Sequence, residues 1–219
     1  MSTIKKIAVV LSGCGNKDGA EIHESVMTLW AIHKHGAEYQ CFAPDIRQHH
    51  VLNFITNEEM DEERNVLLES ARIARGQIKN LADFDPARYD AIIIPGGLGA
   101  AKNLSSYAFD GPDCQINEEL AKAVRGMADL KKPIGALCIA PVLIAKILGN
   151  IEVTIGHDPN TVAALTKMGA SHQETGHGEI TVDRTNKVVT TPCYMLDARV
   201  DQIGDGAENV VKAILALMQ

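Results

Sequence analysis

The chain has 219 residues, 46% hydrophobic and 22% charged, enough for one large domain with an ordinary core. Its 21 basic and 28 acidic residues leave a formal net charge of −7, and only 4% of residues are aromatic. That balance does not suit a nucleic-acid or anionic-membrane surface, nor base-stacking platforms, and it favours small-molecule chemistry.

"KIAVVLS", Lys6 to Ser12, is a β-branched run that predicts a strand stopping at Gly13-Cys14-Gly15. The apolar run before Ser12 is too short for a signal peptide, and no apolar stretch approaches the roughly 18 residues of a membrane span. After the loop "GCGNKDGAE" comes "IHESVMTLWAIHKHG", with Ile22, Val26, Leu29 and Ile32 at helical spacing and Gly36 as the stop. "AEYQCFAP" predicts a second strand closed by Pro44. "DIRQHHVLNFITNEEMDEE" reads as a polar excursion or short hairpin. "NVLLESARIARGQI" reads as a helix with Val66, Leu67, Ser70 and Ile73 on one face.

"YDAIIIPGG" is the most strand-like stretch, and its unbroken apolar run suits a strand covered on both faces of a parallel sheet. A long loop, Ala100 to Gln115, then leads to the helix "INEELAKAVRGMADL". The strand "KPIGALC", the helix "APVLIAKIL", the short strand "IEVTI" and the helix "PNTVAALTKMG" follow. "EITVDRTNKVVTTP" predicts a hairpin turning at Arg184 to Asn186, and "AENVVKAILALM" a final helix. Strands alternating with helices, without repeat or linker, predict a single α/β domain over residues 1–219. Its expected architecture is a doubly wound, three-layer sandwich with a mainly parallel, flavodoxin-like sheet.

In such sheets ligands bind beyond the carboxyl ends of the strands, and three strand ends carry suitable groups. The first is Cys138, between "IGAL" and "APVLIAKIL": strand, nucleophile, helix is the layout of a nucleophile elbow. The helix N-terminus there should favour thiolate. A buried inert thiol is the alternative. The second is Pro95-Gly96-Gly97, a turn whose N–H, with that of Ile139, would form a two-donor oxyanion hole. The third is "GAEIHESV", which places Glu21 and Glu24 three residues apart at a helix start, where one of them could serve as acid or base once burial raises its pKa. His157 follows a short strand after the elbow helix and is a candidate partner of the thiolate. His33, His35, His49, His50, His172 and His177 lack partners at metal spacing and read as surface residues. Gly13-Cys14-Gly15 is not a dinucleotide fingerprint, since Asp18 stands at the third glycine's place. Five scattered cysteines without a C-x-x-C pair argue against a disulfide framework and for a reducing compartment, so the expected location is cytoplasmic.

Together "GAEIHESV", "AIIIPGG" and "IGALCIAP" resemble the class I glutamine-amidotransferase-like superfamily, in the branch of the Parkinsonism-associated deglycase and the PfpI-type proteases. "LSGCG", "NVLLESARIARGQIKNL", "PGGLGAAKNLSSYA" and "VVTTPCYML" narrow the resemblance to the enhancing-lycopene-biosynthesis proteins, also described as bacterial glyoxalases. The resemblance runs over essentially the whole chain. It implies Cys138 as nucleophile, Glu24 as the carboxylate on the thiol, Gly97 and Ile139 as oxyanion donors, and His157 near a family histidine. Glu21 and Cys14 are accessory candidates, Cys14 as a second thiol to pair with or shield Cys138. No cofactor, metal, nucleic acid or membrane is implied, and a homodimer is.

The departures are informative. Ile139 stands where PfpI-type proteases carry a histidine, and "TTPCYML" stands where amidotransferases complete a triad. The implied activity is therefore a cofactor-independent glyoxalase of modest turnover. It would convert small α-oxoaldehydes, glyoxal above methylglyoxal, to 2-hydroxy acids such as glycolate through a Cys138 hemithioacetal. A thiol redox or electrophile sensor tied to isoprenoid output, or a deglycase or hydrolase using the same cysteine, stay open as alternatives.

Overall fold

The structure, a computed structural model, describes residues 4–218. Three parallel strands come first in the sheet's order of construction: β1 (Lys6–Val10), then β2 (Glu38–Ala43) after helix α1 (Ile22–Lys34), and β3 (Ile78–Asn80) after helix α2 (Val66–Ile73). Next come β4 (Ala91–Ile94), α3 (Leu98–Lys102), α4 (Tyr107–Asp110), α5 (Glu118–Asp129), β5 (Ile134–Leu137) and α6 (Ala140–Leu148). β6 (Glu152–Val153), α7 (Pro159–Lys167) and β7 (Ser171–His172) form a side excursion in which β6 and β7 pair with each other. The chain ends with β8 (Thr181–Asp183), β9 (Val188–Thr191) and α8 (Val200–Leu217).

The seven-stranded sheet has the order β3-β2-β1-β4-β5-β9-β8, and only β8 runs antiparallel. This is an α/β fold with a mainly parallel central sheet and helices on either side. β4 and β5 are buried at every residue, which is why they read as continuous apolar runs. α1 packs on α8, while α5 and α6 pack on β4 and β5. From β1 the chain builds outward through β2 and β3; from β4 it builds the other way through β5. The β1/β4 boundary is thus the topological switch point, with a crevice at the strands' carboxyl ends.

Several elements differ from expectation. The helix read over "NVLLESARIARGQI" stops at Ile73, because Arg75 and Gly76 take left-handed backbone at φ 53° and 79°. The residues beyond it form the short edge strand β3. The expected long loop at 100–115 holds the end of α3, all of α4 and a 3-10 turn at Gly111–Asp113. The last helix begins at Val200, a turn and a half or more before the apolar periodicity starts at Ala207.

The apolar stripe of α1 is only half right. Leu29 and Ile32 are buried, but Ile22 and Val26 are 41% and 45% exposed, while Glu24, Ser25 and Thr28 face inward. Helical periodicity cannot register a face that is buried in order to carry polar groups to a site.

Candidate active site

Four elements meet at the switch point: the ends of β4 and β5, the start of α1 and the turn after β9. Cys138 follows β5 and precedes α6, whose first turn holds Pro141, where a missing donor is harmless. Its φ is 59°, a left-handed conformation rare for a residue with a side chain. That is the strained geometry of a nucleophile elbow, held in place by its own N–H donating to the Thr191 carbonyl at 2.9 Å.

Backbone N–H groups of Gly97 and Ile139 donate to the Cys138 sulfur, and the Glu24 carboxyl shares a hydrogen bond with it. Glu24 is itself clamped. Gly96 N–H donates to its Oε2 at 2.8 Å, and the Tyr194 N–H reaches Oε1 at 3.4 Å. Glu21 caps α1, its Oε2 accepting from the Glu24 N–H at 2.7 Å, while its own N–H donates to the Gly96 carbonyl at 3.0 Å. Glycine at 96 is obligatory: a Cβ there would lie 2.4 Å from the Cys138 Cβ and 2.7 Å from Glu24 Oε2. At Gly97 φ is 93° and a Cβ would meet the Glu21 nitrogen at 2.4 Å, so the Gly-Gly pair lets the β4 turn press against both α1 and the elbow.

Electrostatics follow from burial. Glu24 has no exposed surface, and desolvation, with the charge of Glu21 added, pushes its carboxyl up to about 8. It therefore holds a proton at neutral pH. Burial, followed by the charge of Glu24, also pushes the Cys138 thiol well above its ordinary value, and the Gly97 and Ile139 N–H groups pull it back. The helix N-terminus alone does not give the thiolate expected from the elbow layout. A proton on Glu24 removes the carboxylate that opposes ionisation of the sulfur, so the two groups titrate as a pair.

A cleft of about 660 Å³ is lined by Glu21, His23, Tyr194, Leu196 and Asp197 among others; it meets the pair through Glu21 and Tyr194, and neither Cys138 nor Glu24 lines it. His23 Nδ1 and the Tyr194 hydroxyl are 2.8 Å apart across it. The structure thus brings together Cys138, Glu24, Gly97, Ile139 and Glu21. It leaves two candidates outside. His157 is exposed on the loop between β6 and α7, and its charge acts on Asp158. Cys14 is half-buried after β1, where burial, then the charge of Glu69, raises its thiol, and Arg72, Asp18 and Arg64 are its other charged neighbours. His35 bonds Glu208 at 2.8 Å, and His49 and His50 pack on Phe109. Among the described residues no group of three or more His, Cys, Asp or Glu is placed to hold a metal ion.

Sequence reading passed over two contributors, Tyr194 and Cys193. Cys193 is 4% exposed, has a φ of 43°, and lies within electrostatic reach of Glu24 and Cys138. The signal available was "TTPCYML", a polar-apolar turn after a β-branched strand, which has no period to betray it.

Residues 18–194 match the model of the DJ-1/PfpI family, a span that holds Glu21, Glu24, Gly97, Cys138 and Ile139. The chain belongs to the DJ-1/PfpI family. Among its relatives is the ES1 protein homolog, mitochondrial, of Rattus norvegicus, 47% identical over 97% of this chain and 84% of the relative. A solved structure, an isoprenoid biosynthesis protein with an amidotransferase-like domain from Ehrlichia chaffeensis, superimposes with a TM-score of 0.93 at 33% identity, covering 98% of this chain and 100% of that one. Glyoxalase III of Candida albicans shares the DJ-1/PfpI fold, with a TM-score of 0.60 at 16% identity and 98% coverage of both chains. The cytoplasmic expectation is overturned by the rat relative, which is named a mitochondrial protein. Scattered thiols indicate reducing conditions, and reducing conditions do not single out the cytoplasm.

Proposed function

We propose that the protein is a cofactor-independent glyoxalase that converts glyoxal to glycolate. The observation that carries this reading is a sulfur at a strained elbow, met by two N–H donors and by a buried glutamate that is protonated at neutral pH. The family includes glyoxalase III enzymes, which supports the reaction class.

In the proposed cycle the Cys138 thiol releases its proton to water as its sulfur adds to one carbonyl carbon of glyoxal. The new oxyanion forms beside the Gly97 and Ile139 N–H groups, and the Glu24 carboxyl delivers its proton to that oxygen, completing the hemithioacetal. Glu24, now a carboxylate, removes the proton from the sulfur-bearing carbon, giving an enediolate, and returns it to the adjacent carbon while the hydroxyl proton passes to the neighbouring oxygen. The product is a Cys138 thioester of glycolate. Water cleaves it, its hydroxyl joining the acyl carbon and a proton joining the sulfur, and the acid proton of the product returns to Glu24, releasing glycolate and restoring the thiol. A positioned acid–base of this kind supplies about 10²–10⁴-fold. The cycle assigns no step to His157 or Cys14.

The test is glycolate formation from glyoxal by purified protein, followed with Cys138→Ala and Glu24→Gln. The proposal expects turnover in the native protein, none with Cys138→Ala and about 100-fold less with Glu24→Gln. Untouched glyoxal, or full activity without the thiol, overturns it. The homodimer that the resemblance implies is also proposed, with the exposed stripe Ile22, Val26 and Trp30 of α1 as the surface it would cover.

A further inference from the structure

Cys193 has no part in the glyoxalase cycle, yet it is the thiol placed next to Cys138. β5 and β9 are parallel neighbours whose last pair is Leu137 with Thr191. Cys138 and Cys193 therefore stand one and two residues past the end of the same ladder, and the Cys138 N–H makes its final bond, to Thr191. Past that pair both chains leave the extended conformation, Cys193 opening the 3-10 turn Cys193–Met195. The Tyr194 N–H, which immediately follows Cys193, reaches Glu24 Oε1 at 3.4 Å, and Glu24 shares a hydrogen bond with the Cys138 sulfur, so the two cysteines border the same carboxyl. Both residues are buried and both carry left-handed backbone, at φ 59° and 43°. The charges of Glu24 and Cys138 both act on Cys193, whose sulfur also bonds the Thr191 side chain and faces Gly206 of α8. Cys14, the second thiol singled out by sequence, faces Glu69, Arg72 and Asp18 instead.

We propose that Cys193 is the resolving cysteine of Cys138, so that a hydroperoxide converts the pair to an intramolecular disulfide. The Cys138 sulfur attacks one oxygen of the hydroperoxide. An S–O bond forms, the O–O bond breaks, and the alcohol or water leaves with a proton from Glu24, which takes up the Cys138 thiol proton in its place. Cys138 is then a sulfenic acid. The Cys193 sulfur attacks it, the S–S bond forms, the S–O bond breaks, and the hydroxyl departs as water with the Cys193 proton. Two thiols lose two electrons, and the hydroperoxide gains them. The disulfide blocks the nucleophile reversibly and keeps it from the irreversible sulfinic state. The inference needs only a reactive Cys138, and its outcome is independent of whether glyoxal is the substrate.

The experiment treats the full chain with graded hydrogen peroxide, alkylates free thiols, and maps peptides without reduction. The native protein is expected to give a Cys138–Cys193 linked peptide that dithiothreitol reverses. Cys193→Ser and Cys193→Ala, two variants in case one fails to fold, are expected to accumulate at least roughly tenfold more Cys138 sulfinic acid at equal peroxide. Cys14→Ser should leave the linked peptide unchanged. Equal sulfinic acid in the native and Cys193 variants, or a Cys138 link to Cys14, overturns the proposal.

Discussion

Replacing Glu24 by glutamine removes the one buried carboxyl whose ionisation the fold resists most plainly, and stability should record it. In the unfolded chain this group titrates near its ordinary 4.5, whereas in the folded protein it keeps its proton to about 8. Between those values the unfolded state has released a proton that the folded state still holds, so the unfolded state binds fewer protons and stability falls as pH rises. The group's contribution is fully favourable below pH 4.5 and is lost progressively by about pH 8. At about 1.4 kcal/mol for each tenfold change, the gap is worth up to ~5 kcal/mol. Glutamine keeps the shape and an acceptor for the Gly96 N–H and cannot ionise. Urea unfolding at pH 5 and pH 8, followed by far-ultraviolet circular dichroism, measures the effect. The glutamine variant should gain on the native protein by several kcal/mol between the two pH values. Parallel pH profiles would refute a buried Glu24 that is protonated at neutral pH.

Three further outcomes are expected. Glu21→Gln keeps a capping oxygen but removes the charge that helps raise Glu24, so the alkaline limb of the activity profile, where Glu24 loses its proton, should move to lower pH; an unmoved limb counts against the coupling. Gly96→Ala drives a methyl into Cys138 and Glu24, costing about 1–3 kcal/mol on thermal unfolding and most of the activity; native-like turnover would contradict the close approach. Trp30→Glu, at a residue 45% exposed on α1, should yield monomers by sedimentation velocity without loss of fold; an unchanged sedimentation coefficient removes this stripe from the proposed dimer contact.

The sheet was legible wherever burial on both faces wrote itself as an apolar run, as in β1, β4 and β5. The hairpin of β8 and β9 was legible from its turn. The layout of the elbow was legible too, a cysteine between the apolar run Ile134–Leu137 and a helix with Pro141 in its first turn, although a buried inert thiol reads the same way locally. What escaped was whatever tertiary contact decides. β3 is three residues long, two of them polar, and it exists because β2 offers it an edge. The inward face of α1 is polar at Glu24, Ser25 and Thr28, so amphipathic counting placed Ile22 and Val26 inside instead. Cys193 and Tyr194 reach the site only because β9 lies beside β5, a pairing of strands more than fifty residues apart. The thiol's ionisation escaped for a related reason. The helix N-terminus is a local feature, whereas the burial that outweighs it belongs to the whole sheet.

The most direct test is the covalent intermediate. The Glu24→Gln variant, incubated briefly with glyoxal and measured intact by native mass spectrometry, should carry one glyoxal equivalent that the Cys138→Ala, Glu24→Gln double variant lacks, because addition can occur while proton transfer between the carbons cannot. Equal glyoxal adducts with and without the Cys138 thiol would contradict the account.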